Sequence, residues 1–436
     1  MLNGDRVLKK VLVFLFFGFF ICFILLAFNF QEFSAKGQTV SMWNQTYGGT
    51  GSDSCFSMVQ AEDAGFTLIG TTYSFGEGDA DIWLVKTDSN GNMQWNKTYG
   101  TQGYEVAQDL IVTDDSGYIL LGQTASLGSD DTDVWLVKTD SNGNMEWNKT
   151  YGGIGGDKGW KIINTSDTGY AVAGITNSYG QGGNDYWLFK TDSLGTLQWN
   201  MTFGGTEDER ARGIIETADN GFLLTGWSGS YGAGGLDYWL VKTDPNGNHE
   251  WNQTYGGTDT ERAIATIPTS DGGYITAGNT ASFGQGETDF YLVKIDNSGN
   301  MVWNKTYGGE AAETPFSIIK TTDGGYGVAG HSYSFGAGEN DFWFLKTDST
   351  GNILFNQTYG GEMSDTSRAL IQTPDGGYLI AGFTASFGQG ENDFWLIKTD
   401  ENEIPPEFTL WIILPLLLIA ILAVLIYRKK LSKKEN

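Results

Sequence analysis

The sequence predicts an all-β protein in which one unit of 52 residues occurs seven times. A first aromatic position recurs at this spacing, as Trp83, Trp135, Trp187, Trp239, Tyr291, Trp343 and Trp395. A second recurs in the same register, as Trp43, Trp95, Trp147, Trp199, Trp251, Trp303 and Phe355. The 62 glycines and 14% aromatic residues are typical of short strands and tight turns rather than helices. Because no insertion interrupts the register, the repeats indicate one supersecondary structure stacked on itself.

Each unit contains four apolar runs of strand length, which one repeat shows at residues 263–267, 274–277, 290–294 and 301–306. Segments rich in Gly, Asn and Asp separate these runs, and such residues are typical of turns that need a positive φ. Four antiparallel strands form one blade, and a twisted blade must pack on its neighbours to bury both faces. The repeats therefore predict a single seven-bladed β-propeller over residues 37–402.

The two ends of the array predict how the ring closes. The array opens with a lone fourth strand at residues 42–47 and ends after a third strand at residues 394–398. Neither segment has its blade partner next to it in the sequence. Pairing the two would complete the seventh blade and cover two open sheet edges, so we expect the first and last strands to lie side by side.

Apolar segments flank the array on both sides. Residues 1–36 form a signal or anchor segment, with basic residues followed by an apolar run at 11–28 that is just long enough to span a bilayer. Residues 403–436 contain a linker, a second apolar run at 408–427 and a basic end, which the positive-inside rule assigns to the cytoplasm. The sequence therefore predicts two transmembrane helices, with the propeller on the extracytoplasmic side of the cell membrane.

The body of the chain is strongly acidic. Residues 37–407 hold 17 of the 26 Lys and Arg residues but 49 of the 52 Asp and Glu residues, a net charge of −32. Such a charge repels nucleic acid and anionic lipid, so the sequence argues against a nucleic-acid partner. Divalent cations, glycans and surface proteins stay open as partners. The two cysteines, Cys22 and Cys55, provide no disulfide framework, so stability must come from packing.

Three repeated motifs carry a resemblance to known proteins. They are Asp-Gly-Gly-Tyr at residues 271–274, Asp-x-Trp-Leu-Val-Lys-x-Asp-x-x-Gly-Asn at 81–92, and Trp-Asn-x-Thr-Tyr-Gly-Gly at 43–49. These motifs resemble the repeats of secreted and cell-surface β-propeller proteins of archaea and bacteria. The resemblance covers all seven units and implies a propeller and a cell-surface location, without a particular activity. Residues 404–408, Ile-Pro-Pro-Glu-Phe, resemble the Pro-Glu-Phe type of archaeal C-terminal sorting tail, with one additional proline.

Two recurring turns suggest a cofactor or a metal, and in both a structural interpretation is favoured. The pattern Asp-x-x-Gly-x-x-x-Trp, as at Asp88, Gly91 and Trp95, resembles the tryptophan-docking repeat of pyrroloquinoline-quinone enzymes. A girdle of tryptophans between blades explains this spacing without any cofactor, so none is expected. The turn at residues 88–92 resembles a calcium loop, but its glycine comes too early and no bidentate acid follows. A hairpin turn is the better interpretation.

One carboxylate precedes the first strand of every unit, at Asp53, Glu105, Asp157, Glu209, Glu261, Glu313 and Asp365. If the first strands line the axis, these residues form a ring at the mouth of the channel, where they would bind a cation. The alternative is a cap at the entry of each strand. Symmetric recurrence favours the cap, because a need of the scaffold repeats with the scaffold. The same reasoning makes Asp81, Lys86 and their copies structural.

The sequence shows no catalytic constellation. His249 and His331 are its two histidines, and no Ser-His-Asp or His-metal spacing is visible. The favoured function is a non-catalytic module for surface binding, adhesion or an envelope layer. The alternative is an exported carbohydrate-active hydrolase that uses acidic residues on the upper propeller face.

We define the upper face as the one with the fourth-to-first and second-to-third strand connections. The chain leaves the last strand at the opposite face, so the upper face should point away from the cell. Two positions there break the symmetry, one reading Phe, Gln, Trp, Arg, Ile, Phe, Arg and the other Thr, Gln, Ile, Trp, Asn, His, Phe. Aromatic and arginine side chains supply much of the energy of binding sites, although packing between blades would also explain them. The predicted ligand-binding residues are Phe56, Trp160, Arg212, Phe316, Arg368, Trp227, His331 and Phe383.

Eight asparagines lie in Asn-x-Thr or Asn-x-Ser sequences, seven of them on the outermost strands of the blades. Outside the cell such asparagines accept N-linked glycans where they face solvent. The alternative is a hydrogen-bond ladder of Asn and Thr along the strand edge. The predicted glycosylation sites are Asn44, Asn96, Asn148, Asn164, Asn200, Asn252, Asn304 and Asn356.

Overall fold

A computed structural model describes residues 43–125, 127 and 131–400. These residues form 28 β-strands and no α-helix. The strands make seven antiparallel sheets of four strands each, which confirms the predicted all-β, seven-bladed propeller. Among the described residues, no helix has the length and hydropathy to cross a membrane. The apolar runs at 11–28 and 408–427, and with them the predicted signal, anchor and tail, lie outside the described residues.

Within each blade the strands are called first to fourth from the axis outward, whereas the labels β1 to β28 follow the order of the chain. First strands are β2 (Asp53–Gln60), β6 (Glu105–Val112), β10 (Asp157–Asn164), β14 (Glu209–Glu216), β18 (Glu261–Pro268), β22 (Glu313–Lys320) and β26 (Asp365–Gln372). Second strands are β3 (Phe66–Thr72), β7 (Tyr118–Thr124), β11 (Tyr170–Thr176), β15 (Phe222–Ser228), β19 (Tyr274–Thr280), β23 (Tyr326–Ser332) and β27 (Tyr378–Thr384). Third strands are β4 (Asp81–Thr87), β8 (Asp133–Thr139), β12 (Asp185–Thr191), β16 (Asp237–Thr243), β20 (Asp289–Ile295), β24 (Asp341–Thr347) and β28 (Asp393–Thr399). Fourth strands are β5 (Met93–Tyr99), β9 (Met145–Tyr151), β13 (Leu197–Phe203), β17 (His249–Tyr255), β21 (Met301–Tyr307), β25 (Ile353–Tyr359) and, for blade 7, β1 (Trp43–Tyr47).

The hydrophobic core lies between the blades. All residues of β3 and β4 are buried, whereas most of β5 is exposed, because second and third strands are covered on both faces by neighbouring blades. Across the junction of blades 1 and 7, the ring centroids of Trp83 and Phe394 are 4.7 Å apart. Seven such clusters follow one another around the ring. Stability therefore comes from blade-to-blade packing, in line with the nearly cysteine-free sequence.

The recurring tryptophan of the fourth strand packs on the next blade's hairpin turn. A Cβ at Gly91 would lie 2.5 Å from the ring of Trp43, and Gly91 has a φ of +78° that favours glycine. Tyr47 Oη donates a hydrogen bond of 2.5 Å to the carbonyl oxygen of Gly91. Within this turn, Asp88 Oδ1 accepts hydrogen bonds from the backbone N–H groups of Asn90 and Asn92, both at 2.8 Å. The carboxylate thus closes a hairpin turn, as the sequence favoured.

Strand β1 closes the ring, which confirms the predicted pairing. It runs antiparallel to β28, with Trp43 opposite Lys398 and Tyr47 opposite Phe394. Beyond the strands, the Asp53 N–H donates to the Asn392 carbonyl oxygen at 2.7 Å. Residues from the two ends of the array therefore share one sheet and one blade junction.

The described chain leaves the propeller at the lower face. Thr399, the last residue of β28, lies opposite Tyr378, which begins the second strand directly after the first-to-second turn. The upper face, with the fourth-to-first and second-to-third connections, is at the other end of the strands.

Each recurring third-strand lysine forms an ion pair with an aspartate in the first-to-second turn of its own blade. The Nζ–Oδ distances in the seven pairs lie between 2.6 and 2.9 Å. In blade 5 the hydrogen bond from Lys294, followed by that from Thr269, lowers the pKa of Asp271 to about 2. Lys86 and its copies in the other blades therefore have a structural role, as expected from their recurrence.

Candidate functional site

The first strands of all seven blades line a central cavity of about 530 Å³. Each first strand carries a β-bulge at its fourth residue, as the register shifts from Cys55 to Ser57 in β2 and from Ala211 to Gly213 in β14 show. A bulge inserts one extra residue and turns its side chain away from the regular alternation. The extra residues Phe56, Gln108, Trp160, Arg212, Ile264, Phe316 and Arg368 line the cavity. The first symmetry-breaking position of the sequence is thus the bulge position.

Arg212 forms the first of two cation–aromatic groups in this cavity. Its guanidinium carbon lies 3.8 Å from the ring centroid of Trp160 in blade 3 and 6.0 Å from that of Trp227 in its own blade. A guanidinium this close to an indole ring is attracted by the electron density of the ring face. The group therefore contains residues from both symmetry-breaking positions and spans the junction of blades 3 and 4.

Arg368 forms the second group. Its guanidinium carbon lies 3.9 Å from the ring centroid of Phe316, 5.6 Å from that of Phe56 and 5.7 Å from that of Phe383. His331 adjoins this group, with its ring centroid 5.5 Å from that of Phe316. The structure therefore brings together all eight residues that the sequence singled out, in two groups at the upper end of the channel.

The two guanidinium groups lack a charge partner within the part of the chain that the structure describes. Neither Arg212 nor Arg368 makes an ion pair or a hydrogen bond with another residue of the described part of the chain. Burial, followed by Arg368 and Arg210, lowers the pKa of Arg212 to about 9. Burial lowers the pKa of Arg368 to about 10, and burial followed by Arg368 lowers that of His331 to about 4. At neutral pH both arginines are charged and His331 is neutral.

Asp109 and Lys161 also line the cavity and were missed from the sequence. Lys161 Nζ lies 2.9 Å from Asp109 Oδ1, which also accepts a hydrogen bond of 2.7 Å from Ser57 Oγ. The Ile162 N–H donates to Asp109 Oδ2 at 3.1 Å. This charge pair is internally compensated and joins blades 1, 2 and 3. The sequence does contain a signal for these two residues, because the position after the bulge also differs in chemistry from one repeat to the next.

The seven carboxylates at the strand entries do not line the cavity, which supports the strand cap that the sequence favoured over a cation ring at the channel mouth. All seven residues are fully buried. Asp53 Oδ2 accepts hydrogen bonds from the Gly49 N–H at 2.8 Å and from Ser74 Oγ at 2.7 Å. These contacts hold the fourth-to-first and second-to-third connections together, which is the capping role. Over the described ranges, no group of three or more His, Cys, Asp or Glu residues is placed to hold a metal ion.

The first aspartate of the third strand lies beside the capping carboxylate of the next blade. Asp289 Oδ2 accepts a hydrogen bond of 2.5 Å from the Gln285 N–H, whereas its buried Oδ1 has no partner among the described residues. Burial, followed by the charge of Glu313, raises the pKa of Asp289 to about 6. Burial is also the main cause of raised pKa values at Asp81, Asp185, Asp237, Asp341 and Asp393.

This arrangement predicts that the free energy of unfolding decreases as the pH rises from 4 to 6. Because the folded protein holds protons on these aspartates that the unfolded chain has lost, its free energy of unfolding decreases as pH rises through this window. We expect Asp289→Asn to stabilise the protein at pH 7 by on the order of 2 kcal/mol and to have little effect at pH 4. Chemical unfolding followed by tryptophan fluorescence measures both values.

Asp271→Asn, in the same blade, is the matched control, and its expected effect on stability at pH 7 has the opposite sign. The pKa of Asp271 is lowered in the fold, so its contribution is present above pH 4 and is lost as pH falls toward 2. This variant should therefore destabilise the protein at pH 7. An Asp289→Asn variant with the same loss at pH 7 would contradict the prediction.

No family model matches the chain, and no curated protein sequence matches it. Among solved structures, puromycin hydrolase superposes with a TM-score of 0.50 at 12% identity, over 77% of this chain and 50% of that one. A protein of unknown function from Dyadobacter fermentans gives 0.47 at 10% identity, over 82% and 97%. Sqt1 from Chaetomium thermophilum gives 0.47 at 12% identity, over 78% and 83%. At such identities these likenesses concern the fold alone.

Proposed function

We propose that this protein is a membrane-anchored, extracytoplasmic binding module whose ligand enters the upper end of the central cavity. The observation that supports this proposal is that five of the eight symmetry-breaking residues line one cavity of about 530 Å³, while the other three contact these five from the second strands. A scaffold of identical blades needs no such variation, because the cores between the blades are filled by residues that repeat. Aromatic and arginine side chains gathered in a partly enclosed cavity are typical of binding sites.

The contacts of the acidic residues favour binding over the alternative, an exported carbohydrate-active hydrolase. Glycoside hydrolysis needs two carboxyl groups that face the substrate. The capping carboxylates near the upper face are turned into the scaffold instead. In blade 5, for example, Glu261 Oε2 accepts from the Gly257 N–H and its Oε1 from Thr280 Oγ1, both at 2.7 Å.

The orientation of the propeller follows from its connection to the apolar run at 408–427. The chain leaves β28 at the lower face, and the eight residues 400–407 span at most about 26 Å when extended. A membrane anchor at 408–427 therefore holds the lower face toward the bilayer and leaves the cavity mouth facing outward. This direction suits a module that binds surface glycans or the surface proteins of another cell.

A glycan-array screen of the detergent-solubilised full chain tests the proposal, with release of reducing sugar measured on the same preparation. We expect bound glycans without turnover, and loss of binding when Trp160, Trp227 and Arg212 are replaced together by alanine. Tyr231→Ala is the control, since this exposed residue of blade 4 occupies a position that is aromatic in six of the seven blades, and it packs on Trp239 at 5.1 Å. A folded triple variant that still binds would overturn the proposal, and sugar release would favour the hydrolase.

Glycosylation of the outer strands is a second part of the proposal. All eight asparagines are exposed. Indole N–H groups donate to Oδ1 of several of them, as Trp83 does to Asn96 at 3.2 Å, and Nδ2 of Asn96, the atom that is glycosylated, contacts only the exposed Met93 Sδ of its own strand, at 3.4 Å. At Asn164, however, Nδ2 donates to the Val112 carbonyl oxygen at 2.9 Å, so we expect this site to be the least modified. The intact mass of the native protein, before and after enzymatic deglycosylation, measures the modification; an unmodified mass would contradict it.

A further inference from the structure

We propose that the central cavity binds an oxyanion, a carboxylate, sulfate or phosphate group of the ligand, between the guanidinium groups of Arg212 and Arg368. This inference rests on the proposed binding function and names the chemistry that the site recognises. It also explains why an acidic propeller holds buried positive charge in its channel with no partner among the described residues.

The two arginines differ from the lysines of the third strands and of the cavity, because those lysines are paired with aspartates. Each of the seven third-strand lysines has an aspartate within 2.9 Å. Lys161, which lines the same cavity with a half-exposed side chain, is also paired, with Asp109 at 2.9 Å. A charge removed from water without a partner is costly, so a scaffold role would be served better by a paired or an apolar side chain. Arg212 and Arg368 therefore hold charges that a ligand can neutralise.

The aromatic contacts leave the hydrogen-bonding edges of the guanidinium groups available. At 3.8 Å from Trp160 and 3.9 Å from Phe316, each guanidinium lies against a ring, which fixes its position without using its N–H donors. The planar fork of N–H groups matches the oxygens of carboxylate, sulfate and phosphate in a bidentate manner. Preorganised donors of this kind lose little entropy when the ligand binds.

Further polar atoms around the two groups have no partner within the described residues. They are the buried Trp160 Nε1, Arg368 Nε and His331 Nδ1. Trp160 Nε1 and Arg368 Nε carry hydrogen and can only donate. Buried donors without acceptors are rare in folded proteins, and they indicate an absent acceptor here. An oxyanion supplies several acceptor oxygens at once and would also relieve the repulsion between the two arginines.

Titration calorimetry of the detergent-solubilised full chain tests the inference with sodium glucuronate, sulfate and phosphate as probes. Glucose at the same concentration and sodium chloride at matched ionic strength serve as references. We expect saturable binding of at least one oxyanion, which identifies the carboxylate, sulfate or phosphate source, and none of glucose. Arg212→Gln and Arg368→Gln should each weaken this binding at least tenfold, because each removes a charge-assisted contact.

Arg210→Gln is the matched control, because Arg210 lies on the same strand but is paired with Asp208 at 3.8 Å outside the cavity. It should change the affinity about twofold or less, through the weak field of an exposed charge. Equal binding by the wild type and by both cavity variants would overturn the inference. So would a wild type that binds no oxyanion.

The two proposals fail separately. If the Arg212→Gln and Arg368→Gln variants keep the wild-type pattern on the glycan array while the alanine triple variant loses it, the cavity binds a neutral ligand. The binding function would then stand without the oxyanion. If all variants bind alike, the cavity is not the binding site and both proposals fail.

Discussion

Deletion of residues 43–47 from the full chain should lower the free energy of unfolding by more than about 5 kcal/mol. The deletion removes β1, leaves the edge of β28 without its partner strand, and takes Tyr47 out of the core between blades 7 and 1. It also removes Trp43, which packs on the Gly91 turn of the next blade. Without β1, the two ends of the array lose the contacts through which the first and last blades unfold together. Chemical unfolding monitored by tryptophan fluorescence is the measurement.

Gln45→Lys is the matched control for this deletion. It converts the closing strand into the Trp-Asn-Lys-Thr-Tyr sequence that forms the fourth strand of blades 1, 2 and 5. The variant should therefore pair with β28 as the wild type does, with unchanged stability. A deletion variant that unfolds at the wild-type denaturant concentration would show that β1 does not hold the ring.

Gly308→Ala should destabilise the protein by about 3 kcal/mol or more. Gly308 follows the fourth strand of blade 5 and does not have a positive φ, so alanine is conformationally acceptable there. Its Cβ, however, would lie 1.7 Å from Asp289 Oδ1 and 2.4 Å from Glu313 Oε2. The side chain can be accommodated only if the two buried carboxylates and the caps they form move apart. Denaturant unfolding at pH 7 measures the loss.

Gly272→Ala, in the same blade, separates this contact from the conformational preference of glycine. Gly272 has a φ of +84°, but no atom lies within 4 Å of the position of an added Cβ. Only the left-handed backbone is then unfavourable, and we expect a loss of about 1 kcal/mol. If Gly308→Ala costs no more than Gly272→Ala, the carboxylates are not packed against the glycine as described.

The pH prediction and the glycine prediction depend on the same junction. If protonation of Asp289 relaxes this junction, the cost of Gly308→Ala should be smaller at pH 4 than at pH 7, since one repelling charge is gone. Asp81 and the other equivalent aspartates occupy the same position in other blades, so the effect of pH on stability is multiplied around the ring.

The candidate site was accessible to sequence reasoning because the repeats act as an internal reference. In seven units of identical length, any residue that varies in chemistry stands out against its copies. This comparison identified Arg212, Trp160 and Arg368 without a structure. It overlooked Asp109 and Lys161, which were visible by the same comparison one position further along. For Asp53 and its copies it favoured a strand cap but left a cation ring open, because spacing alone does not tell whether a carboxylate faces a channel or a turn.

By itself the sequence determined the repeated unit, the number of blades, the hairpin turns and the pairing of the first strand with the last, since each depends on local patterns of apolar and turn-forming residues. Only the tertiary structure decided which way the side chains at the inner edge point. The bulge in each first strand turns Arg212 and Arg368 toward the axis. Contacts between residues 52 positions apart, such as Ser57 Oγ with Asp109 Oδ1, then decide which charges are paired within the described residues and which are not. Such pairing depends on the packing of one blade on the next, and a pattern within one unit does not contain it.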